Sequence, residues 1–273
     1  MKIAFQGIEG AYSHGAVAAL YPEATPQPQP SFERAISAVA SGMADGALLP
    51  FENILAGRVS GLHGLLSEMG QFYIHREHYV KIEHCLVGTA QTIVDVKTVY
   101  SHPQALAQCQ HYLTNNGILA APYADTAAAA QYIAQKADPS LGAISSAKAA
   151  ELYGLNILAR GIANQHENLT RFLLWQTVVP EPLSADVAAV TSVYFSVKNK
   201  INALYEVLSV FAEQNLNLLK IESYVAPGTF DHASFYLEIE ANTQNPPHRI
   251  ALEKAAKVCD TFISFGCYPK QRP

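Results

Sequence analysis

Asn168-Leu169-Thr170-Arg171-Phe172-Leu173-Leu174-Trp175 (NLTRFLLW, residues 168–175) reads as a short buried strand with a hydroxyl and a guanidinium at its mouth. Its Phe, Leu and Trp side chains suit a strand packed in a core, whereas an unpaired buried arginine is costly. In a regular strand Thr170 and Phe172 share one face and Arg171 and Leu173 the other. Both polar groups therefore reach one ligand only at the entrance of the strand, before the pleat begins. We expect Leu173 to Trp175 to anchor the strand, and a bound ligand, rather than a buried protein group, to be the partner of the polar pair.

Working back from this strand, residues 1 to about 178 alternate short strands (KIAFQG, ADGALLP, VKTVYS, GILAAPY, LGAISS) with helical segments (HGAVAAL, ERAISAVAS, QALAQCQHYL, AAAAQYIAQK, AKAAELYG). That order predicts an α/β region with a mostly parallel sheet. Forward of it, VVPEPLSADVAAV reads as a linker, placed at 181–189. The order then changes. TSVYFSV alternates, Leu204, Val207, Leu208 and Phe211 follow helical spacing, and NLLKIESYV, a turn at Ala226-Pro227-Gly228, SFYLEIE, a helix from about Pro247 to Asp260 and a strand near FISFGCY complete a β-α-β-β-α-β unit. A module this small with half-buried sheet surface commonly pairs with a copy of itself, so a dimer is expected.

The 273 residues carry 18 Lys and Arg against 23 Asp and Glu, with no basic cluster able to follow a phosphate backbone. Nucleic acid is not an expected partner. No stretch approaches the roughly 18 apolar residues of a membrane span, and MKIAFQG enters a strand directly. A cytoplasmic location and no membrane partner are expected. Cys85, Cys109, Cys259 and Cys267 lie far apart, as small buried thiols do. His75, His78 and His84 with Glu77 and Glu83 match no metal-ligand spacing and are read as a solvated hairpin, so no metal is expected.

Polar residues recur where strands pass into helices: Tyr12-Ser13 with Ser13 as a helix cap, Glu52-Asn53, Ser101-His102-Pro103-Gln104, Asp125-Thr126 and Ser145-Ser146. Singly each is an ordinary cap. Together they form a ring of donors suited to a small anion. Neither G-x-G-x-x-G nor G-x-x-x-x-G-K-[ST] occurs, which leaves nucleotide binding unsupported, and G-x-S-x-G is absent as well.

The segments GIEGAYSHGA, LPFENILAGRV, VYSHPQALAQC, DTAAAA, GAISSAKAAELYGLNIL, NLTRFLLW and NLLKIESY occur in an order that resembles the prephenate dehydratase family with its C-terminal ACT regulatory domain. The resemblance implies a two-lobed α/β catalytic region over residues 1–180, like type II periplasmic binding proteins, followed by an α+β ferredoxin-like ACT domain over residues 190–273. It implies conversion of prephenate to phenylpyruvate, water and carbon dioxide, with no metal or organic cofactor, on the route to phenylalanine. Thr170 is the residue the family uses to assist the departing hydroxide, and Arg171, Phe172, Asn53, Glu52, Tyr12, Ser13, Ser101, Gln104, Thr126 and Asn168 are the implied substrate contacts. Phenylalanine is the implied effector, held at Asn202, Ala203, Leu204, Glu222, Ser223 and Tyr224 between ACT domains of a homodimer or homotetramer.

The chain departs from the family pattern at four places: Ile54 stands for the serine of E-N-S, Asn164 for an aspartate, Asn202 for the glycine of G-A-L, and Tyr224-Val225 for the end of E-S-R-P. Ile54 would delete a cleft hydroxyl, which Ser60 or Arg58 nearby could replace. Two alternatives stay open: preference for the aminated analogue arogenate, and a non-catalytic sensor of a carboxylate or amino acid. A transport solute-binding protein fits two lobes but needs a signal peptide.

Overall fold

The computed structural model describes residues 1–165, 167–225 and 232–271. The chain divides into two compact units, Met1–Ser60 with Tyr79–Phe172, and Gly61–His78 with Leu173–Pro273. In chain order the elements are β1 (Lys2–Gln6), α1 (Tyr12–Leu20), β2 (Thr25–Gln29), α2 (Phe32–Ala40), β3 (Gly46–Asn53), β4 (Gly57–Arg58), α3 (Ser60–His63), β5 (Tyr73–Lys81) and β6 (Cys85–Gly88). There follow β7 (Thr98–Ser101), α4 (Pro103–Gln108), α5 (Gln110–Asn115), β8 (Leu119–Pro122), α6 (Thr126–Lys136), β9 (Leu141–Ser145), α7 (Ala147–Tyr153), β10 (Asn156–Ala159) and β11 (Leu169–Gln176). The C-terminal part holds β12 (Ala189–Lys198), α8 (Ala203–Glu213), β13 (Leu218–Val225), β14 (His232–Ile239), α9 (Pro246–Val258) and β15 (Thr261–Pro269). The turn read at Ala226-Pro227-Gly228 lies outside the described residues.

The first unit is built on two sheets. One runs β2-β1-β3-β11-β5 with β4 on β3, residues 73–78 of β5 and 173–176 of β11 being counted with the second unit, and the other runs β10-β6-β9-β7-β8. Both are mixed, which corrects the mostly parallel expectation: β4 on β3, and β6 with both β9 and β10, pair antiparallel. The apolar run CLVG of β6 is buried throughout, and a strand buried on both faces gives no sign of its direction. β2 (TPQPQ) escapes the propensity argument because Pro26 and Pro28 cannot donate to a ladder. It lies at a sheet edge, paired parallel with β1. There Thr25 supplies an N–H to Met1 and Gln29 a carbonyl to Gly7.

Alternation along β6 sends Leu86 to one face of the second sheet, with Val99, Leu106, Leu113 and Ile144, and Cys85 and Val87 to the other, with Ala129, Ala130, Ile133 and Ala143. The segment expected as one helix over QALAQCQHYL breaks at Cys109 (φ −112°, ψ 11°) into α4 and α5. All four cysteines are free; Cys85 and Cys109 are buried, whereas Cys259 and Cys267 are only half-buried. Burial pushes the Cys85 thiol up to about 11 and the Cys109 thiol to about 12, and a thiol is a nucleophile only as thiolate. Iodoacetamide at neutral pH should leave both unmodified in the native protein and label them after denaturation, as peptide mass analysis will read; native labelling at the denatured rate would contradict this.

In the second unit β12, α8, β13, β14, α9 and β15 follow the expected order, and the sheet runs β13-β14-β12-β15, antiparallel throughout. Its core joins Val193, Phe195 and Val197 to Val207 and Phe211 of α8, Phe235, Leu237 and Ile239 of β14, and Ala251, Leu252 and Ala255 of α9. Residues 61–78 and 173–180, read from sequence with the first region, pack here. Trp175 meets Phe265 edge to face at 5.2 Å, and His63 meets Tyr236 at 6.0 Å. The sheet face away from the helices is therefore covered in part by the chain itself, while Leu219 and Ile221 of β13 stay exposed. Glu77 is buried and accepts the Gln271 N–H at 2.7 Å, and His84 is 4% exposed, so the solvated hairpin is also corrected. β5 and β6 belong to different sheets.

Candidate active site

The first unit holds a half-open cavity of about 720 Å3 to which both of its sheets contribute. From the β1–β3–β11 side come Gln6, Tyr12, Ser13, Asn53, Arg58, Asn168, Thr170 and Phe172, and from the other side His84, His102, Gln104, Gln108, Asp125 and Thr126. Eight of the expected contacts thus converge: Tyr12, Ser13, Asn53, Gln104, Thr126, Asn168, Thr170 and Phe172.

Three do not. Ser101 is fully buried and its hydroxyl donates to the Ile144 carbonyl at 2.7 Å, so alternation along β7 turns it into the sheet. Arg171 is 4% exposed and holds Glu52 at 2.9 Å through Nη1, and neither side chain lines the cavity. The partner expected from a ligand is supplied by the protein. The pleat is already established at Thr170: Thr170 and Phe172 face the cavity while Arg171 faces away. Ile54 is 55% exposed and outside the lining, so its side chain takes no place in the cavity. Asn164 accepts the His111 N–H at 3.1 Å and donates to the Ala107 carbonyl at 3.2 Å, pinning the α4–α5 junction with a donor that aspartate lacks.

Local structure sets each of the converging groups. Gly7 (φ 115°) and Gly10 (φ 88°) carry the loop ahead of α1 through backbone that favours glycine, and a Cβ on Gly10 would lie 3.1 Å from Ala149 Cα. The same loop is bolted to α7, because Ser146 donates to Gly10 O and Tyr153 to Glu9 O, each at 2.7 Å. Ser13 is not the cap expected; Ala11 is, and the Gly10 N–H is taken instead by His14 Nδ1 at 2.9 Å. Asp125 and Ser146 cap α6 and α7 as their sequences imply, accepting the Ala128 and Ala149 N–H groups. His102 caps α4 through Nδ1 on the Gln104 N–H, with Pro103 at the first helical position.

Thr170 sits at the floor of the cavity, 7% exposed. Asn53 Nδ2 donates to Thr170 Oγ1 at 2.9 Å and to Asn168 Oδ1 at 2.6 Å, while Asn53 Oδ1 accepts the Leu55 and Ala56 N–H groups. A hydroxyl that accepts from an amide has its own hydrogen left to donate. Phe32, Ile82, Val59 and Phe172 supply an apolar wall, and among the described lining residues the guanidinium is Arg58. Burial pushes the Tyr12 hydroxyl well above its ordinary range, aided by Cys85, Cys109 and Glu83, and burial lowers His84 below the ordinary imidazole range. His84 and Gln108 were missed in the sequence, yet Gln108 lies four residues after Gln104, on the same face of α4.

In the second unit Asn202 heads α8 with φ 67°, a left-handed conformation that glycine and asparagine tolerate best. Ala203 is buried and Leu204 packs on the core. Glu222 pairs with Lys220 at 3.1 Å, Ser223 is exposed beside them on β13, and the Tyr224 hydroxyl is hydrogen-bonded to His63 Nδ1. Two of these effector candidates are thus engaged by the chain. No group of three potential metal ligands occurs among the described residues, and no helix among them is long and apolar enough to cross a membrane.

A half-open cavity with hydroxyl and amide donors, one guanidinium and an apolar wall, set in a two-sheet α/β unit, suits a small organic anion. The chain belongs to the prephenate dehydratase family, which matches residues 3–178. It is 36% identical to a bifunctional N-acyl-homoserine lactone acylase/prephenate dehydratase of Komagataeibacter europaeus over 98% of this chain and 95% of that protein. It is 41% identical to arogenate dehydratase 2 of Petunia hybrida over 98% of this chain and 72% of that protein. The structure of GqqA, described as a novel type of quorum quenching acylase, superposes with a TM-score of 0.91 at 35% identity, covering 99% of this chain and 98% of that one. Prephenate dehydratase of Arthrobacter aurescens in complex with L-Phe gives a TM-score of 0.89 at 26% identity, over 99% and 90% of the two chains.

Proposed function

We infer that this chain is a carbon–oxygen lyase that converts prephenate to phenylpyruvate, and that Thr170 assists the departure of the hydroxide. The observation that carries this reading is the Thr170 hydroxyl, which faces the cavity while accepting from Asn53, so that its own hydrogen is offered to whatever lies there. In the reaction the bond from the ring to its carboxylate breaks, its electron pair enters the ring, and the carbon–oxygen bond opposite breaks as hydroxide leaves. Carbon dioxide and water are the small products. Hydroxide is a poor leaving group, and a donor aimed at it lowers the barrier. Aromatisation supplies the drive that a weak acid such as threonine does not, and an apolar wall at Phe172 would strip water from the carboxylate that is lost.

Recognition of the dianion falls to Arg58, the hydroxyls of Ser13 and Thr126, and the N-termini of α1 and α6. Arg171 is left out of this set. Incubation of the chain with prephenate, followed by phenylpyruvate absorbance in alkali, tests the reading; a rate no higher than the spontaneous one would overturn it. Arogenate belongs in the same assay, because a 41% identical relative bears that substrate in its name, and its product, phenylalanine, is told apart by chromatography. A binding-only sensor would need the cavity but not a hydroxyl donor at its floor.

The βαββαβ unit over residues 190–273 is proposed as an ACT domain that binds phenylalanine, as does the dehydratase solved with L-Phe, in a homodimer or homotetramer. Phenylalanine should bind in calorimetry, lower the turnover of the intact chain and leave a sedimenting oligomer. Absence of binding at millimolar phenylalanine would remove the regulatory part and leave the catalytic part standing.

A further inference from the structure

The polar side chains behind Thr170 form one hydrogen-bonded line whose direction is fixed at its end by backbone. Asn53 Oδ1 accepts two N–H groups, from Leu55 and Ala56, each at 3.0 Å, so its Nδ2 must point the other way, toward Thr170 and Asn168. With its oxygen taken, Asn168 turns Nδ2 to Gln108 Oε1 at 3.2 Å. That same oxygen faces His84 Nε2 at 2.7 Å, so the ring nitrogen there must carry a hydrogen. His84 Nδ1 is then bare in the neutral ring and accepts the Tyr12 hydroxyl at 2.6 Å. Turning any one amide would set two donors or two acceptors face to face.

We propose that His84 is a positioning residue, locked as the neutral Nε2–H tautomer, which closes this line and so helps Asn53 aim the Thr170 hydrogen into the cavity, while leaving the Tyr12 oxygen only lone pairs for a ligand. The proposal rests on the dehydratase reading above. An imidazolium would reverse the far end: Nδ1–H would donate to Tyr12, whose hydrogen would turn to the Glu83 carbonyl 3.3 Å away. The titratable and charged groups near the Tyr12–His84 pair include Glu83 and Cys85, on either side of His84 in the chain, Cys109 after α4, and Arg160, which holds Glu83 at 3.2 Å. Tyr12 and the two thiols stay protonated through the neutral range, their burial having moved them up. Acidification below the ordinary imidazole range is therefore expected to charge His84, to leave its donation to Gln108 in place, and to lower activity through the reversed Tyr12 contact.

Three measurements test this. Nitrogen-15 NMR of histidine-labelled wild-type protein should show His84 as the Nε2–H tautomer at neutral pH; an Nδ1–H tautomer or an imidazolium would overturn the proposal without any appeal to turnover. His84→Gln, whose amide can accept from Tyr12 and donate to Gln108, should keep kcat within about fivefold and lose the acid limb of the pH profile, whereas His84→Leu should lower kcat by roughly ten- to a hundredfold with KM little changed. Equal damage from both, in protein whose spectra show the native fold, or an acid limb that persists in His84→Gln, would overturn the positioning role. Were the wild-type chain itself to turn over no prephenate, the dehydratase reading would fall, while the tautomer would still be decided by its own spectrum.

Discussion

Replacing Thr170 with alanine should lower kcat on prephenate by about 10²- to 10⁴-fold, the range spanned by a positioned proton donor, while the substrate still binds. Thr170→Ser keeps the hydroxyl on the same backbone position and should retain most of the rate. The reason lies in what Asn53 does on either side of the hydroxyl. Its amide is held by two backbone N–H groups and donates to Oγ1, so the oxygen arrives already oriented. Removing the hydroxyl leaves Asn53 one acceptor short but still bonded to Asn168, and the cavity loses the donor, not its shape. Steady-state assay of both variants, with substrate affinity measured in the inactive one, separates the two effects; an unchanged kcat in Thr170→Ala would take the residue out of the chemistry.

How much of this was readable beforehand depends on what each residue's neighbours declare. The Leu, Phe and Trp of β11 and the alternation of β12 announce buried strands, and the structure places both where that pattern requires. Caps such as Asp125 and Ser146 are legible because one side chain and one backbone N–H three residues on make the whole interaction. Ser101 looks the same on paper, but whether it faces the cavity or the Ile144 carbonyl is decided by the strand beside it, which lies more than forty residues away in the chain. His84 and Gln108 were hidden for the related reason that their partners, Tyr12 and Asn168, are distant in sequence. The two prolines of β2 concealed a strand because a sheet edge tolerates what a centre does not.

The largest correction concerns Arg171, and it moves the expected effect of mutation from binding to stability. Arg171→Met should destabilise the first unit by about 2–4 kcal/mol, since it takes from Glu52 the buried guanidinium it meets at 2.9 Å; the lower part of the usual range applies because Glu52 is only partly covered. That corresponds to a fall in melting temperature of roughly 5–15 °C. Glu52→Gln in the same protein should recover part of the loss, because the charge that faced the lost guanidinium is then neutral, and the coupling between the two sites is read from the double-mutant cycle. In the fraction that remains folded, affinity for prephenate should stay within about threefold of wild type, given that neither side chain lines the cavity. The opposite pattern, unchanged melting with substrate binding lost, would return Arg171 to the ligand and require β11 to present both of its faces to the cavity. Alternation forbids that unless the strand is broken at Thr170. The unbroken run Leu169–Gln176 shows no such break, so the guanidinium belongs to the scaffold that carries the threonine and not to the anion the threonine meets.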